Sequence, residues 1–192
     1  MSTSLNILFG VPSRVGKGLV ENVINSISDN DEIWQKSAKI GIQIRTCSND
    51  STCSKKVESY HLHCFGEKII KLLNLYIGAV PRYVFVTSDF NNNEITLNIR
   101  HTLVRLLENN VDQQVKVFDT SVINIENQEL RTLLDWHLLT LMDWLLISSS
   151  SYGETASILS LKPTERFDHS LKSNTTCNFH WFNKDIAKDW KY

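Results

Sequence analysis

The sequence contains no run of about 18 apolar residues, the length a helix needs to cross a bilayer, and its N-terminus lacks the basic region and apolar core of a secretory leader. It reads as a soluble chain without a targeting segment. Charge of one sign is missing too. Twenty basic and 21 acidic residues leave a net charge of -1, which excludes a nucleic-acid or membrane surface held by bulk electrostatics. An anionic ligand has to be held by a local site. There is no internal repeat, and the triplet Asn91-Asn92-Asn93 is the sole hint of compositional bias.

What remains fits one ordinary domain. With 42% hydrophobic and 21% charged residues among 192, the chain is long and apolar enough to bury a core and is neither disordered nor fibrous. Four cysteines, Cys47, Cys53, Cys64 and Cys177, permit two disulfides in three pairings without demanding any. The triplets that begin at Asn49 and Asn174 are glycan acceptors only in a secretory lumen. Cys53, His61, His63 and Cys64 lie close in sequence, yet their separations match no common structural-zinc spacing. They read as loop residues and a helix cysteine.

Short β-branched runs alternate with helical periodicity along the chain. The run KIGIQIR (39–45) has the look of a buried strand that delivers a charge to its carboxyl edge. A polar loop, 46–56, leads to a helix over 57–76, closed by Gly78 and Pro81. A strand at 82–87 follows, then a helix at 94–109 capped by the asparagine triplet, a strand at 116–118, a helix at 126–142, a strand at 144–148 and a helix at 154–161. A leading strand at 5–9 is a further candidate, and the leucine-rich stripe from Leu130 to Leu146 is core. This order predicts an α/β fold, a Rossmann-like doubly wound parallel sheet with right-handed crossovers. Ligands of such sheets bind beyond the carboxyl ends of the strands. Those ends are Arg45, residues 87–89, residues 119–121 and the serine run 148–151.

Two stretches compete for a phosphate. LNILFGVPSRVGKGLVENVI (5–24) has the strand, glycine turn and Gly16-Lys17 of a P-loop. A Walker loop, however, needs four residues between its glycines and a Ser or Thr after the lysine, and here five intervene and Gly18 follows. The second stretch, LLDWHLLTLMDWLLISSSSYGETASILSLKP (133–163), runs helix, strand, serine turn, helix. Backbone N–H groups at Tyr152 to Thr155 would point from a helix N-terminus to the sheet edge, where the hydroxyls of Ser148 to Ser151 add hydrogen-bond donors. That is a diphosphate cradle without a Walker lysine.

Together with GIQIR at 41–45, this block resembles the nucleotide-binding half of GDP-fucose-dependent fucosyltransferases, closest to the plant xyloglucan fucosyltransferase family. Those enzymes carry a V-G-I-Q-I-R strand and a later E-I-Y-L-L-S-L-S-D-x-L-V-T-S block followed by S-T-F-G-x-x-A and L-K-P. The matching residues are Ile40 to Arg45, Asp135 to Ser148, Ser150 to Gly153, Ala156 and Leu161 to Pro163, with weaker echoes at Cys64 and at Cys177 to His180. The resemblance implies the C-terminal, donor-binding domain of a GT-B glycosyltransferase. It would comprise an N-terminal strand and linker helix (1–37), a GDP-fucose domain (38–163) and a tail (164–192) that packs back on it.

It also implies roles. Arg45 would hold the β-phosphate, its alternative being a surface arginine in an ion pair. Ser150, Ser151 and Tyr152 would bind the diphosphate through hydroxyls and amides, with Gly153 permitting close approach; otherwise they form a polar turn with an N-cap serine. Asp135 would accept hydrogen bonds from guanine, or else be a solvated helix carboxylate. Asp89 and Phe90 would line the base pocket, and Asp143 would fix the corner between helix and strand. Gln43 stands where core-type relatives have histidine, as in the plant type. Asp50 is the nearest candidate for a general base, and a weak one. Transfer would need no metal or other cofactor. The partners would be a nucleotide sugar, a glycan acceptor and a separate acceptor-binding domain, and the compartment would be the Golgi. Two other readings remain: a P-loop-like kinase or GTPase using Gly16-Lys17, and a non-catalytic GDP-binding remnant.

Overall fold

The computed structural model describes residues 15–28, 31–45, 61–75, 82–88, 93–109, 115–167 and 177–183. They form helices α1 (Val15–Ile27), α2 (Asp31–Lys36), α3 (His61–Leu75), α4 (Asn93–Glu108), α5 (Gln128–Thr140) and α6 (Ser151–Ser160), with a 3-10 turn at Thr120–Val122. The strands are β1 (Ala38–Ile44), β2 (Arg82–Ser88), β3 (Val115–Phe118), β4 (Trp144–Ile147), β5 (Thr164–Phe167) and β6 (Phe179–Trp181). They build one sheet in the order β3-β2-β1-β4-β5-β6, parallel throughout except for β6, which runs antiparallel to β5.

The β-branched runs become strands because both sheet faces are covered and each side chain finds apolar neighbours on its own side. All seven residues of β1 and of β2 are buried. Ile40, Ile42, Ile44, Val84, Val86, Trp144 and Leu146 share one face with α3 and α4. Tyr83, Phe85, Phe118, Leu145 and Ile147 share the other with α1 and α5. Each fully buried aliphatic side chain contributes about 1.5–3 kcal/mol by leaving water. At Gly41 a side chain has no room: its Cβ would lie 2.7 Å from both Leu145 Cδ2 and Met142 Cγ.

Helix ends follow local chemistry. Asn127 caps α5, its side-chain oxygen accepting the Leu130 N–H at 2.9 Å. Helix α6 ends on Leu161 in the left-handed region (φ 53°), its N–H donating to Ser157 O, with Pro163 two residues beyond. Asp143 does fix the corner before β4: its N–H donates to Lys39 O, its carboxylate accepts the Lys39 N–H at 3.0 Å, and it pairs with the buried Lys39 Nζ at 3.1 Å.

Of residues 164–192, expected as a tail that packs back on the domain, Thr164–Phe167 and Phe179–Trp181 are strands that extend the same sheet. Cys64 on α3 is bonded to Cys177 just before β6, which removes it from any zinc set and tethers the edge strand across 113 residues. His61 packs edge-on against Phe167 and His63 pairs with Glu67. Helix α1 packs against α5, the 3-10 turn and α2, because Val20, Val23, Ile24 and Ile27 face the Phe118 and Leu134 side of the core. The proposed strand at 5–9 lies outside the described residues.

Candidate functional site

From β1 the chain builds outward one way through β2 and β3, then returns to add β4 and β5 on the other side of β1. The order therefore reverses between β1 and β4, and in doubly wound sheets ligands bind in the crevice beyond the carboxyl ends at such a switch point. Arg45 stands at this switch point, one residue beyond β1 and partly exposed. Its backbone N–H donates to Ser148 Oγ at 2.6 Å. Ser148 is fully buried; its hydroxyl donates to Gln43 Oε1 at 3.3 Å and its N–H to Gln43 O at 2.9 Å. The Ser148 hydroxyl thus serves the strand ends and does not face a ligand as the serine run suggested.

Helix α6 enters the crevice from β4. It begins at Ser151, three residues earlier than expected, with Ser150 as an extended N-cap residue that makes no side-chain cap. Its first helical hydrogen bond is Glu154 N–H to Ser150 O, so the amides of Ser151, Tyr152 and Gly153 precede the intrahelical ladder at the positive end of the dipole. Ser150 is buried and Ser151 exposed. Gly153 lets the helix approach the strands: a Cβ there would lie 2.9 Å from Ile147 Cγ2 and 3.0 Å from Gln43 Oε1. Gln43 is fully buried, and its Nε2 has no hydrogen-bond partner among the described residues.

Asp135 is not a solvated helix carboxylate. It is 3% exposed, and its two oxygens accept one hydroxyl each, from Thr87 at 2.9 Å and from Thr120 at 2.6 Å. Burial raises its pKa from 3.8 to about 7, against the lowering by the two threonine hydrogen bonds and by Arg131. The clasp ties the ends of β2 and β3 to the middle of α5. Beside it, Asp119 is held by Arg100 at 3.2 Å and by the Ser121 N–H at 2.7 Å.

Tyr152 is placed otherwise than as a hydroxyl ligand: its OH donates to Thr132 O at 2.7 Å, while Trp136 Nε1 donates to Thr155 Oγ1 at 3.2 Å, so the two side chains pin α6 to α5. Burial, and then the neighbouring Asp135, push the Tyr152 phenol well above its ordinary range. What Tyr152 offers the crevice is its amide. Asp50, Asp89 and Phe90 lie outside the described residues. The structure thus brings Arg45, Gln43, Ser150, Ser151, Gly153 and the Tyr152 amide to one crevice, with Asp135 beneath it toward β3. Thr87 and Thr120 fall within the strand ends named from the sequence (87–89 and 119–121), but their pairing with Asp135 was not foreseen, because hydroxyl residues at strand ends are common in doubly wound folds.

Lys17 lies on α1 with its side chain 77% exposed, 3.8 Å from Glu21 one turn on. Among the described residues no group of three His, Cys, Asp or Glu is placed to hold a metal ion, and no helix is long and apolar enough to cross a membrane.

No family model matches the chain, and no curated protein matches it in sequence. Solved structures do match. Arabidopsis thaliana FUT1, as an arginine-to-lysine mutant in complex with GDP, aligns at 17% identity with a TM-score of 0.59, over 86% of this chain and 36% of that one. NodZ α-1,6-fucosyltransferase soaked with GDP-fucose aligns at 13% identity and TM-score 0.50, over 88% and 48% of the two chains. The same enzyme co-crystallised with GDP aligns at 15% identity and TM-score 0.51, over 86% and 47%. The chain spans between about a third and a half of the length of the structures it matches. In fold it is a Rossmann-like, mostly parallel α/β sheet of the kind these fucosyltransferases contain.

Proposed function

We propose that this chain is the GDP-fucose-binding domain of a GT-B fucosyltransferase that transfers fucose to a glycan hydroxyl. The observation that carries the proposal is the meeting of Arg45 and the α6 N-terminus at the β1/β4 switch point, where strand order reverses. Fucosyl transfer breaks the bond from sugar C1 to the β-phosphate oxygen. Negative charge then builds on the departing GDP and positive character on the ring, so fixed donors at the β-phosphate lower the barrier directly. Arg45 offers a planar, permanently charged fork for that oxygen, and the amides of Ser151, Tyr152 and Gly153 offer aligned N–H groups.

Asp135 would hold the base end: a carboxylate accepts from the N–H groups on the edge of guanine, whereas adenine presents an acceptor there. In this reading transfer is metal-independent, the acceptor is held by a separate domain, and the acceptor hydroxyl is activated by a base that this chain supplies weakly at best, through Asp50. A luminal, Golgi-type compartment is supported by the Cys64–Cys177 disulfide, since such bonds persist in oxidising surroundings. No observation favours the P-loop reading, given the exposed helical position of Lys17.

Calorimetric titration with GDP, GDP-fucose and GTP, with and without magnesium, tests the proposal on the wild type, Arg45→Ala and Lys17→Ala. GDP and GDP-fucose should bind without magnesium, weakly in Arg45→Ala and normally in Lys17→Ala. Unchanged GDP binding by Arg45→Ala would overturn it.

A further inference from the structure

We infer that Ser148 is a positioning residue that aims Arg45 at the β-phosphate, an inference that rests on the GDP reading above. The β1/β4 ladder runs through the pair Gln43 and Ile147, with Ser148 N–H donating to Gln43 O at 2.9 Å. Arg45 lies beyond the last pair, where the ladder no longer sets the direction of the chain. There the acceptor for its N–H is a side chain: Ser148 Oγ, at 2.6 Å. A hydroxyl has one proton and two lone pairs, and the Ser148 proton goes to Gln43 Oε1 at 3.3 Å. The hydroxyl is therefore engaged as acceptor and donor at once, on a fully buried side chain.

The consequence is a chain of constraints that runs from α6 to Arg45. Gly153 brings α6 so near Gln43 that an added Cβ would lie 3.0 Å from Gln43 Oε1; Gln43 accepts from Ser148, and Ser148 accepts from the Arg45 backbone. Beyond the ladder and the Ser148 N–H bond to Gln43 O, this hydroxyl adds the side-chain link between the strand end that carries the guanidinium and the helix end that carries the amides. A contact that acts on the β-phosphate depends on that setting; recognition of the base and α-phosphate does not depend on where the guanidinium lies.

The test compares GMP and GDP affinity in the wild type, Arg45→Ala, Ser148→Ala and the near-isosteric Ser148→Cys, with chemical denaturation to establish that each variant is folded. The wild type should bind GDP more tightly than GMP, and Arg45→Ala should erase the difference. Both Ser148 variants should keep wild-type GMP affinity and reduce the GDP to GMP ratio about tenfold, the scale of one misplaced charge-assisted hydrogen bond. A wild-type ratio in both Ser148 variants, with the Arg45→Ala loss intact, overturns the positioning role and leaves the GDP reading standing. An equal fall of GMP and GDP affinity in them also overturns it, because the serine then serves the fold alone. A wild type without preference for GDP, or a ratio insensitive to Arg45→Ala, defeats the GDP reading and the inference with it.

Discussion

Replacing Asp135 by asparagine should make the protein more stable near neutral pH, and the gain should depend on pH in a defined way. Burial raises the Asp135 pKa to about 7 in the folded chain from 3.8. Between pH 4 and 7 the unfolded chain has given up that proton while the folded chain keeps it, so the folded state binds more protons and stability falls as pH rises. The contribution is fully present below about pH 4, is lost through about pH 7 and stays lost above it. At about 1.4 kcal/mol for each pH unit, the window amounts to about 4 kcal/mol. The asparagine amide would mimic the neutral acid, accepting from one of Thr87 and Thr120 and donating to the other. Urea denaturation of both proteins from pH 4 to pH 8.5 measures this: the difference in unfolding free energy should grow across the window in favour of Asp135→Asn and level off above pH 7.5. A difference that is flat with pH, or that favours the wild type at pH 8, would refute the assignment of a proton to the clasp. Guanine N–H groups at the carboxylate favour its charged form, so saturating GDP should move the window to lower pH in the wild type only.

Gly153→Ala should cost about 1–3 kcal/mol in thermal or chemical denaturation by overpacking Ile147 and Gln43, and should weaken GDP binding more than GMP binding, since α6 is pushed off the strand ends. Reducing the Cys64–Cys177 bond, or replacing both residues by serine, should lower the unfolding free energy by about 4–5 kcal/mol on the loop-entropy account; a transition that does not move on reduction would exclude the tether as a source of stability.

What was legible in the sequence was what repeats locally. The run GIQIR announces a doubly buried strand with a charge at its end, and helix-period stripes announce α3 to α5. The β1 terminus was found the same way, whereas α6 starts at Ser151, three residues before its expected start. The rest depends on contacts between distant residues. Nothing near Asp135 reveals that its carboxyl will be buried against hydroxyls 48 and 15 residues away. The pairing of Cys64 with Cys177 spans 113 residues and is one of several the count allows. Three-residue β6 is too short to show a period, and it forms because β5 offers it an edge. In the serine run, no change of residue type marks where helix begins; the extended backbone of Ser150 decides it.

The strand order has a kinetic consequence. Strands β1, β2 and β3 are neighbours in space in the order in which the chain emerges, whereas β1 meets β4 only when Trp144 to Ile147 arrive, long after Ile40 to Gln43. During synthesis or refolding, the three-strand half can pair while the other edge of β1, Ile40 to Gln43, remains open. Such a long loop closes slowly, and an open apolar edge invites pairing between molecules in the meantime. The seam that waits on this loop is the one that holds Arg45 against Ser148. Misfolded material should therefore lack this crevice first, and a ligand that bridges β1 and α6 should act as a folding aid by capturing the closed seam as it forms.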